Sequence, residues 1–300
     1  MQATLDIGSN TVRMLIGSCA GGLLQPSLYE RRITRLGGAF SPAQGLSPAA
    51  MARTIVTLID YSAILEDYQA RLLRAVGTAA LRRAVNRQEF IEQVWQQTGI
   101  RIEVIDGDEE ARLATLGVLS VISPTPENLV IFDIGGGSTE MGGISSGRIC
   151  AQQSFPLGVV RLAEEYSDFH QRQQAIEVML MEFCSNLQRM FSSSAPLELI
   201  GTAGTMTTLA AMDLKLIDYD AAVINNHCLS VGWMIKLYHH LEQLSAADRE
   251  QLAGMEQGRG DLILPGLQLA IAFAKAFKVT HLKVADAGLL EGTFLDACRD

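Results

Sequence analysis

Two short segments of this sequence are near copies of each other: Asp6-Ile7-Gly8-Ser9-Asn10-Thr11 and Asp133-Ile134-Gly135-Gly136-Gly137-Ser138-Thr139. Apolar, β-type runs precede both, Ala3-Thr4-Leu5 and Leu129-Val130-Ile131-Phe132, and a further strand-like run follows each. Each therefore reads as a hairpin whose turn presents bare backbone N–H groups. Glycine in such a turn lets the backbone approach a ligand closely and adopt φ > 0. Successive N–H groups then form a nest for anions, phosphate above all. An aspartate opens each loop, and a carboxylate repels phosphate. The two fit together if a hard cation, Mg²⁺, lies between them. Aspartate is also common at turn starts for local reasons. Its recurrence in the same context is what favours metal and phosphate handling. Two copies of one hairpin imply a duplicated domain, with a phosphate–metal site in the cleft between the halves.

A length of 300 residues suits two domains with real cores. The net charge of −9 argues against general binding to nucleic acid or acidic membranes, without excluding a local basic site. The five cysteines are scattered and form no C-x-x-C pair, so neither a disulfide framework nor a zinc site is expected. No signal-peptide pattern precedes the first strand. The longest apolar stretch, around 262–274, contains Pro265 and is too short to span a bilayer. The expectation is a cytoplasmic protein with no membrane or nucleic-acid partner.

Strand-like and helical patterns alternate, which predicts an α/β fold. In the first half, strands are expected at 3–6, 12–18, 22–29, 31–36, 73–77 and 101–105. Helices are expected at 48–67, from Asn86 to Gly99 with Asn86 as N-cap, and at 109–122 with Asp108 as cap. The Pro124 and Pro126 segment breaks the pattern and marks a boundary, giving domains 1–124 and 125–300. In the second half, strands are expected at 129–133, 139–145, 148–156, 198–200 and 281–285. Helices are expected at 158–166, 170–191, 203–212, 231–244, 246–253, 261–277 and from Ala287.

Three further segments carry chemistry. Gly201-Thr202-Ala203-Gly204-Thr205 joins a strand to a helix, whose N-terminal N–H groups suit phosphate. No lysine follows the second glycine, so it is not a Walker loop, and an ordinary tight turn has the same composition. Glu109 and Glu110 open a helix, where acids favour the dipole; one of them leaning inward would be a general base for water. Arg71, Arg74, Arg82, Arg83 and Arg87 fall in a segment without acids. They read either as a solvated surface with distant acidic partners or as an electropositive groove for a polyanion. Arg259-Gly260-Asp261 reads as an ordinary helix start with Asp261 as a possible cap. Ser138, Thr139 and Thr205 can donate hydroxyl hydrogen bonds, and nothing marks one as a nucleophile.

Taken together these motifs resemble the exopolyphosphatase/guanosine pentaphosphate phosphohydrolase (Ppx/GppA) family, of the sugar kinase, Hsp70 and actin superfamily. The resemblance covers nearly the whole chain in motif order. It rests on the two hairpins, Thr78-Ala79-Ala80-Leu81-Arg82-Arg83-Ala84-Val85-Asn86, Glu109-Glu110-Ala111-Arg112-Leu113, Pro156-Leu157-Gly158-Val159-Val160-Arg161-Leu162, the Gly201 to Thr205 loop, and Asp286-Ala287-Gly288-Leu289-Leu290-Glu291-Gly292. It implies two ribonuclease-H-like (actin-like ATPase) domains facing across a cleft, and Mg²⁺-dependent hydrolysis of a terminal phosphoanhydride in polyphosphate or guanosine pentaphosphate.

By the motif match, Glu110 is the catalytic base, Asp133 binds magnesium, and Asp6 and Glu140 join the metal–water network. The backbones of Gly8, Ser9, Asn10 and Thr11, of Gly135, Gly136, Gly137 and Ser138, and of Gly201, Thr202, Gly204 and Thr205 hold phosphates, and Arg82 contacts the chain. Arg83 stands where the family often has an acid, and Arg259-Gly260-Asp261 where Arg-Ala-Asp is usual. Longer members add C-terminal helical domains associated with dimerisation and long-chain binding. The resemblance therefore implies terminal hydrolysis without implying processivity, and a homodimer is compatible with it. A kinase of the same superfamily, a non-hydrolysing sensor of guanosine tetra- or pentaphosphate, and remotely an actin-like filament protein are the competing readings.

Overall fold

The structure, a computed structural model, describes every residue except 125, 147, 167, 188–196, 299 and 300. The chain divides into two compact units, Met1–Ser120 with Leu289–Asp300, and Val121–Gly288.

The first unit is built on β1 (Gln2–Ile7), β2 (Thr11–Ala20), β3 (Leu23–Ile33), β4 (Arg71–Gly77) and β5 (Ile102–Val104). They form one sheet in the order β3-β2-β1-β4-β5, with β1, β2 and β3 antiparallel and β4 and β5 parallel to β1. Its helices are α1 (Pro48–Asp67), α2 (Ala79–Arg83), α3 (Arg87–Thr98), α4 (Gly107–Leu119) and the last helix of the chain, α12 (Leu289–Ala297). The period of two along a strand sorts the side chains. Ala3, Leu5 and Ile7 of β1 join Val12, Met14 and Ile16 of β2 in a core with Leu58 and Tyr61 of α1 and Phe90 of α3. The opposite phase faces α12: Thr4 Oγ1 donates to Leu290 O at 3.3 Å, and Leu15 packs on Leu290 and Phe294.

The second unit repeats this plan. Its strands are β6 (Asn128–Ile134), β7 (Thr139–Ser145), β8 (Arg148–Phe155), β9 (Leu197–Thr202), β10 (Cys228–Ser230) and β11 (His281–Val284). Its helices are α5 (Val159–Glu165), α6 (Phe169–Leu187), α7 (Ala203–Asp213), α8 (Ala221–Ile224), α9 (Val231–Leu241), α10 (Ala246–Arg249) and α11 (Ile263–Ala276). The sheet order is β10-β11-β9-β6-β7-β8, so strands 8-7-6-9-11 reproduce 3-2-1-4-5 of the first unit and β10 is an added antiparallel edge. Central β6 is buried along its whole length, and Phe132 stacks on Phe273 of α11 with centroids 4.3 Å apart. No helix among the described residues is long and apolar enough to cross a membrane.

The structure departs from the sequence reading in particular places. The helix expected from Ala287 returns to the first unit, not to a second domain running 125–300. At Gly292 a Cβ would lie 1.8 Å from Leu113 O, so α12 crosses α4 at backbone contact that only glycine permits. Residue 125, at the expected boundary, and the end of the helix expected at 170–191 lie outside the described residues. The strands expected at 22–29 and 31–36 are one edge strand, β3. It passes Gly17 at a register shift, where a Cβ would come within 2.5 Å of Gln25 O. Asn86 stands before α3 without capping it: its Oδ1 accepts from Leu46 N at 2.9 Å and its Nδ2 donates to Leu46 O at 2.9 Å. The cap of α4 is Asp106, accepting from Glu109 N at 2.8 Å, and not Asp108, because the helix starts two residues earlier than expected. Helix α11 begins at Ile263 with no side-chain cap, so Asp261 does not cap it.

Candidate active site

The two hairpins share a backbone design. Gly8 N donates to Thr11 O and Gly135 N to Ser138 O, both at 3.0 Å. In each, the turn carbonyls are fixed from behind. Asn10 O accepts from Thr34 N (3.0 Å) and Arg35 N (2.9 Å), and Ser9 O from Gly37 N (2.7 Å). In the second hairpin, Gly135 O accepts from Val159 N (3.0 Å) and Gly136 O from Val160 N (2.8 Å) at the start of α5. A trans peptide points its N–H opposite its C=O. Anchoring these carbonyls therefore turns the N–H groups of Asn10, Thr11, Gly136 and Gly137 away from the anchor; none of the turn glycines takes the positive φ that the sequence reading allowed for.

The side chains differ between the copies. Register places Asp6 opposite Arg13 and Asp133 opposite Glu140. Asp6 Oδ2 accepts from Arg13 Nε at 2.9 Å and from Nη2 at 2.5 Å. Asp6 Oδ1 is buried and has no hydrogen-bond partner. Asp133 and Glu140 are both buried, at 7% and 3% exposure, and Ser154 Oγ donates to Glu140 Oε1 at 2.7 Å. Like charges directly opposite on neighbouring strands are unfavourable. Two buried carboxylates so placed beside a glycine turn form a donor set suited to a hard divalent cation. Among the described residues no group of three or more acidic, His or Cys side chains gathers as a ready-made metal site. Ser138 is buried, and Thr139 Oγ1 donates to Leu157 O at 2.6 Å, tying the hairpin to the segment before α5.

The third glycine loop runs from β9 into α7. Thr202 Oγ1 donates to Ala287 O at 2.6 Å, which engages that hydroxyl within the fold, and Thr205 is buried beneath α11 against Gly266. Ala203 has φ of 66°, a left-handed conformation costly for a residue with a Cβ. A Cβ on Gly204 would lie 1.9 Å from Arg259 Nη2: the glycine leaves room for a buried guanidinium at the N-terminus of α7. Arg259 also pairs with Glu256. Gly288 lies beside the second hairpin, its Cβ position 3.4 Å from Asp133 Oδ2.

In the first unit the two acids of α4 separate. Glu109 belongs to an ion network: Arg112 Nε and Nη2 donate to it at 3.2 Å, and so does Arg74 Nη1 at 3.2 Å. Arg112 in turn makes two 2.9 Å bonds to Asp296 of α12. The Arg112 guanidinium, with Arg74 beside it, holds the Glu109 carboxyl below the usual range. Glu110 points elsewhere. It is buried, at 7% exposure, and pairs with Arg82, whose Nη1 also donates to Ile105 O at 3.2 Å.

The arginine segment is not a uniform groove. Arg74 is bound to Glu103 and Glu109, Arg83 lies over the Phe40 ring at 4.4 Å, and Arg87 Nη1 donates to Arg82 O at 3.3 Å. The structure thus brings Asp133, Glu140, Gly135, Gly136, Gly137 and Ser138 together in the second unit, and Arg82 with Glu110 in the first. Sequence reasoning passed over Arg13 and Ser154, and took Arg259 only as part of a helix start. Arg13 stands seven residues after Asp6, as Glu140 does after Asp133, so aligning the two hairpins would have found it.

The sequence profile of the Ppx/GppA phosphatase family matches residues 15–299. The chain belongs to this family. It is 32% identical to exopolyphosphatase 2 of Mycobacterium tuberculosis, over 98% of this chain and 97% of that protein. The Ppx/GppA family member of Aquifex aeolicus has a TM-score of 0.81 at 28% identity, covering 99% of this chain and 97% of its own. An exopolyphosphatase from Cytophaga hutchinsonii has a TM-score of 0.86 at 26% identity, covering 98% and 97%. The Ppx/GppA fold class expected from the sequence, α/β with two ribonuclease-H-like domains, is the one found: the repeated five-strand order carries it.

Proposed function

We propose that this Ppx/GppA protein is an exopolyphosphatase, releasing orthophosphate from the end of inorganic polyphosphate by attack of water. The observation that carries the reading is Glu110: a buried carboxylate at the start of α4, outside the ion network that occupies its neighbour Glu109. Hydrolysis needs a base for water, and a buried carboxylate supplies one; a kinase needs a base for its acceptor hydroxyl as well, so the choice of water rests on membership of a phosphatase family. The similarity to a protein named exopolyphosphatase 2 supports polyphosphate as the substrate class.

In the reaction, the water oxygen forms a bond to the terminal phosphorus while the bridging P–O bond breaks. Glu110 takes the proton of the water. Amide groups of the hairpin turns stabilise charge on the equatorial oxygens, through hydrogen bonds that need no reorganisation. Arg82 has two partners in turn. Without substrate it pairs with Glu110. A phosphate competes for the same guanidinium, and transfer of Arg82 to substrate releases Glu110 from that ion pair. The facing pair Asp133 and Glu140 fits a divalent cation, Mg²⁺ in this reading. When bound, the cation supplies charge neutralisation at the phosphate and the leaving group.

The test is phosphate release with Mg²⁺ from long polyphosphate, short polyphosphate and guanosine pentaphosphate, with Glu110→Gln in parallel. Release from polyphosphate that Glu110→Gln abolishes supports the proposal. Release from the nucleotide alone would move the substrate assignment, and release undiminished in Glu110→Gln would remove the assigned base.

A further inference from the structure

The duplicated hairpins invite comparison position by position, and the informative difference is at the residue facing the aspartate. Glu140 faces Asp133, placing two buried carboxyl groups together; Arg13 faces Asp6, giving an ion pair. We infer that Arg13 is a positioning residue that withdraws Asp6 from metal ligation, so that only the second hairpin holds a cation directly and the first handles phosphate as a neutral unit. This deepens the proposed function and rests on its assignment of the cation to Asp133 and Glu140.

Two observations carry it. Both strong donors of the Arg13 fork that reach Asp6 converge on one oxygen, Oδ2, at 2.9 and 2.5 Å. A carboxylate oxygen that accepts two charged hydrogen bonds has little left to offer a metal ion, and a guanidinium beside it repels one. The other oxygen, Oδ1, is buried without a partner, and it lies 3.9 Å from the Cβ position of Gly8. A buried acceptor left unpaired is costly, so such an atom is kept where a ligand brings a donor. One acceptor with its neighbour neutralised suits a water molecule better than a divalent cation, which seeks several oxygens. Asn10 Oδ1, on the same turn, is likewise buried and unpartnered. The arrangement also removes the conflict between an aspartate and an anion nest: with Arg13 in place, the first turn repels phosphate no longer.

Binding of Mn²⁺, used as probe, is counted by equilibrium dialysis and electron paramagnetic resonance on the full chain. In the expected result Asp6→Asn retains the wild-type Mn²⁺ stoichiometry, and Arg13→Gln gains an additional ion that the double variant Asp6→Asn/Arg13→Gln loses again. The double variant carries no unpaired buried charge, so it also separates metal binding from misfolding. Arg13→Lys, which keeps the charge, should show no added ion. Loss of the wild-type ion in Asp6→Asn, or an unchanged stoichiometry in Arg13→Gln, would overturn the inference. Failure of the underlying assignment shows separately, as retention of the ion in Asp133→Asn.

Discussion

Gly158→Ala tests whether the second hairpin is held from behind with the accuracy its chemistry requires. Gly158 has φ of −125° and ψ of 178°, extended backbone that alanine adopts freely, so the substitution has no conformational penalty of its own. Its cost is contact. The new Cβ would lie 2.5 Å from both Gly135 O and Gly136 O, and 2.6 Å from Gly136 C. Those oxygens are the acceptors for Val159 N and Val160 N, the two bonds that clamp the turn to α5. An ordinary carbon–oxygen contact needs nearly 1 Å more, and the obstacle is backbone on both sides, so turn and helix must separate by roughly that distance. Weakening two buried hydrogen bonds and overpacking the contact together cost about 2–4 kcal/mol. For a unit of this size that lowers Tm by about 4–16 °C. Displacing the amides by about 1 Å lowers kcat by roughly 10²-fold. Thermal unfolding and phosphate release measure the two effects. The control is Gly232→Ala in α9, where the nearest atom to the new Cβ is Ser230 Oγ at 3.7 Å, and stability should hold or rise. If Gly158→Ala melts and turns over like wild type while the control behaves as stated, the clamp does not position the turn.

The remaining predictions concern the first unit and the metal pair. Glu110→Gln should keep polyphosphate binding and lose about 10²–10⁴-fold in kcat, the usual span for removing a general base; unchanged single-turnover rates would reject that role. Arg82→Ala should raise KM more for long polyphosphate than for short, and a KM effect independent of chain length would count against Arg82 as a contact to the chain. Glu109 titrates below the ordinary carboxylate range because Arg112, and then Arg74, bind its charged form. A depressed folded-state pKa stabilises the fold above the ordinary value of about 4.3 and loses that contribution as pH falls through the lower, folded value. Glu109→Gln should therefore unfold more readily than wild type at pH 7 in urea, with the difference shrinking toward pH 3; a constant difference would contradict the sign. Ser154→Ala removes the donor to Glu140 Oε1 and should weaken Mn²⁺ binding without changing KM for polyphosphate in saturating metal, whereas unaltered Mn²⁺ affinity would make that hydrogen bond irrelevant to the metal.

What was legible in the sequence follows the range of each interaction. The strands and the long helices could be read because period and punctuation are local: Ser47 before Pro48 starts α1, and left-handed Gly99 ends α3. The hairpins could be read because their turns are written in consecutive residues. Apart from shifted ends such as the α4 cap, the misses fall where the deciding partner is distant in sequence. Asn86 has the chemistry of a cap, but Leu46, forty residues away, offers it both a donor and an acceptor. The arginines near Arg74 look unpaired in a window without acids, yet Glu103, Glu109 and Asp296 reach Arg74 through the fold. The last helix looks like part of the second domain because it follows it in the chain; only the backbone contact of Gly292 with α4 shows that it completes the first.

The same logic bears on the two tasks proposed for the repeated hairpin. Each turn closes with the same bond, from the N–H of its first glycine to the carbonyl three residues on, while the carbonyls anchored from outside differ: Ser9 and Asn10 in the first copy, Gly135 and Gly136 in the second. The charge of the hairpin is set by the residue opposite the aspartate, seven positions on, and that position is free to differ without disturbing the turn. Arginine there makes a neutral hairpin, and glutamate a doubly negative one. On the proposed reading, a protein with one of each has an uncharged nest and a cation-bearing one. Two copies of the second kind would concentrate negative charge against an anionic substrate, and two of the first would leave no direct ligands for a metal. The asymmetry at Arg13 and Glu140 is thus the smallest change that turns a repeated anion nest into a pair of complementary hairpins.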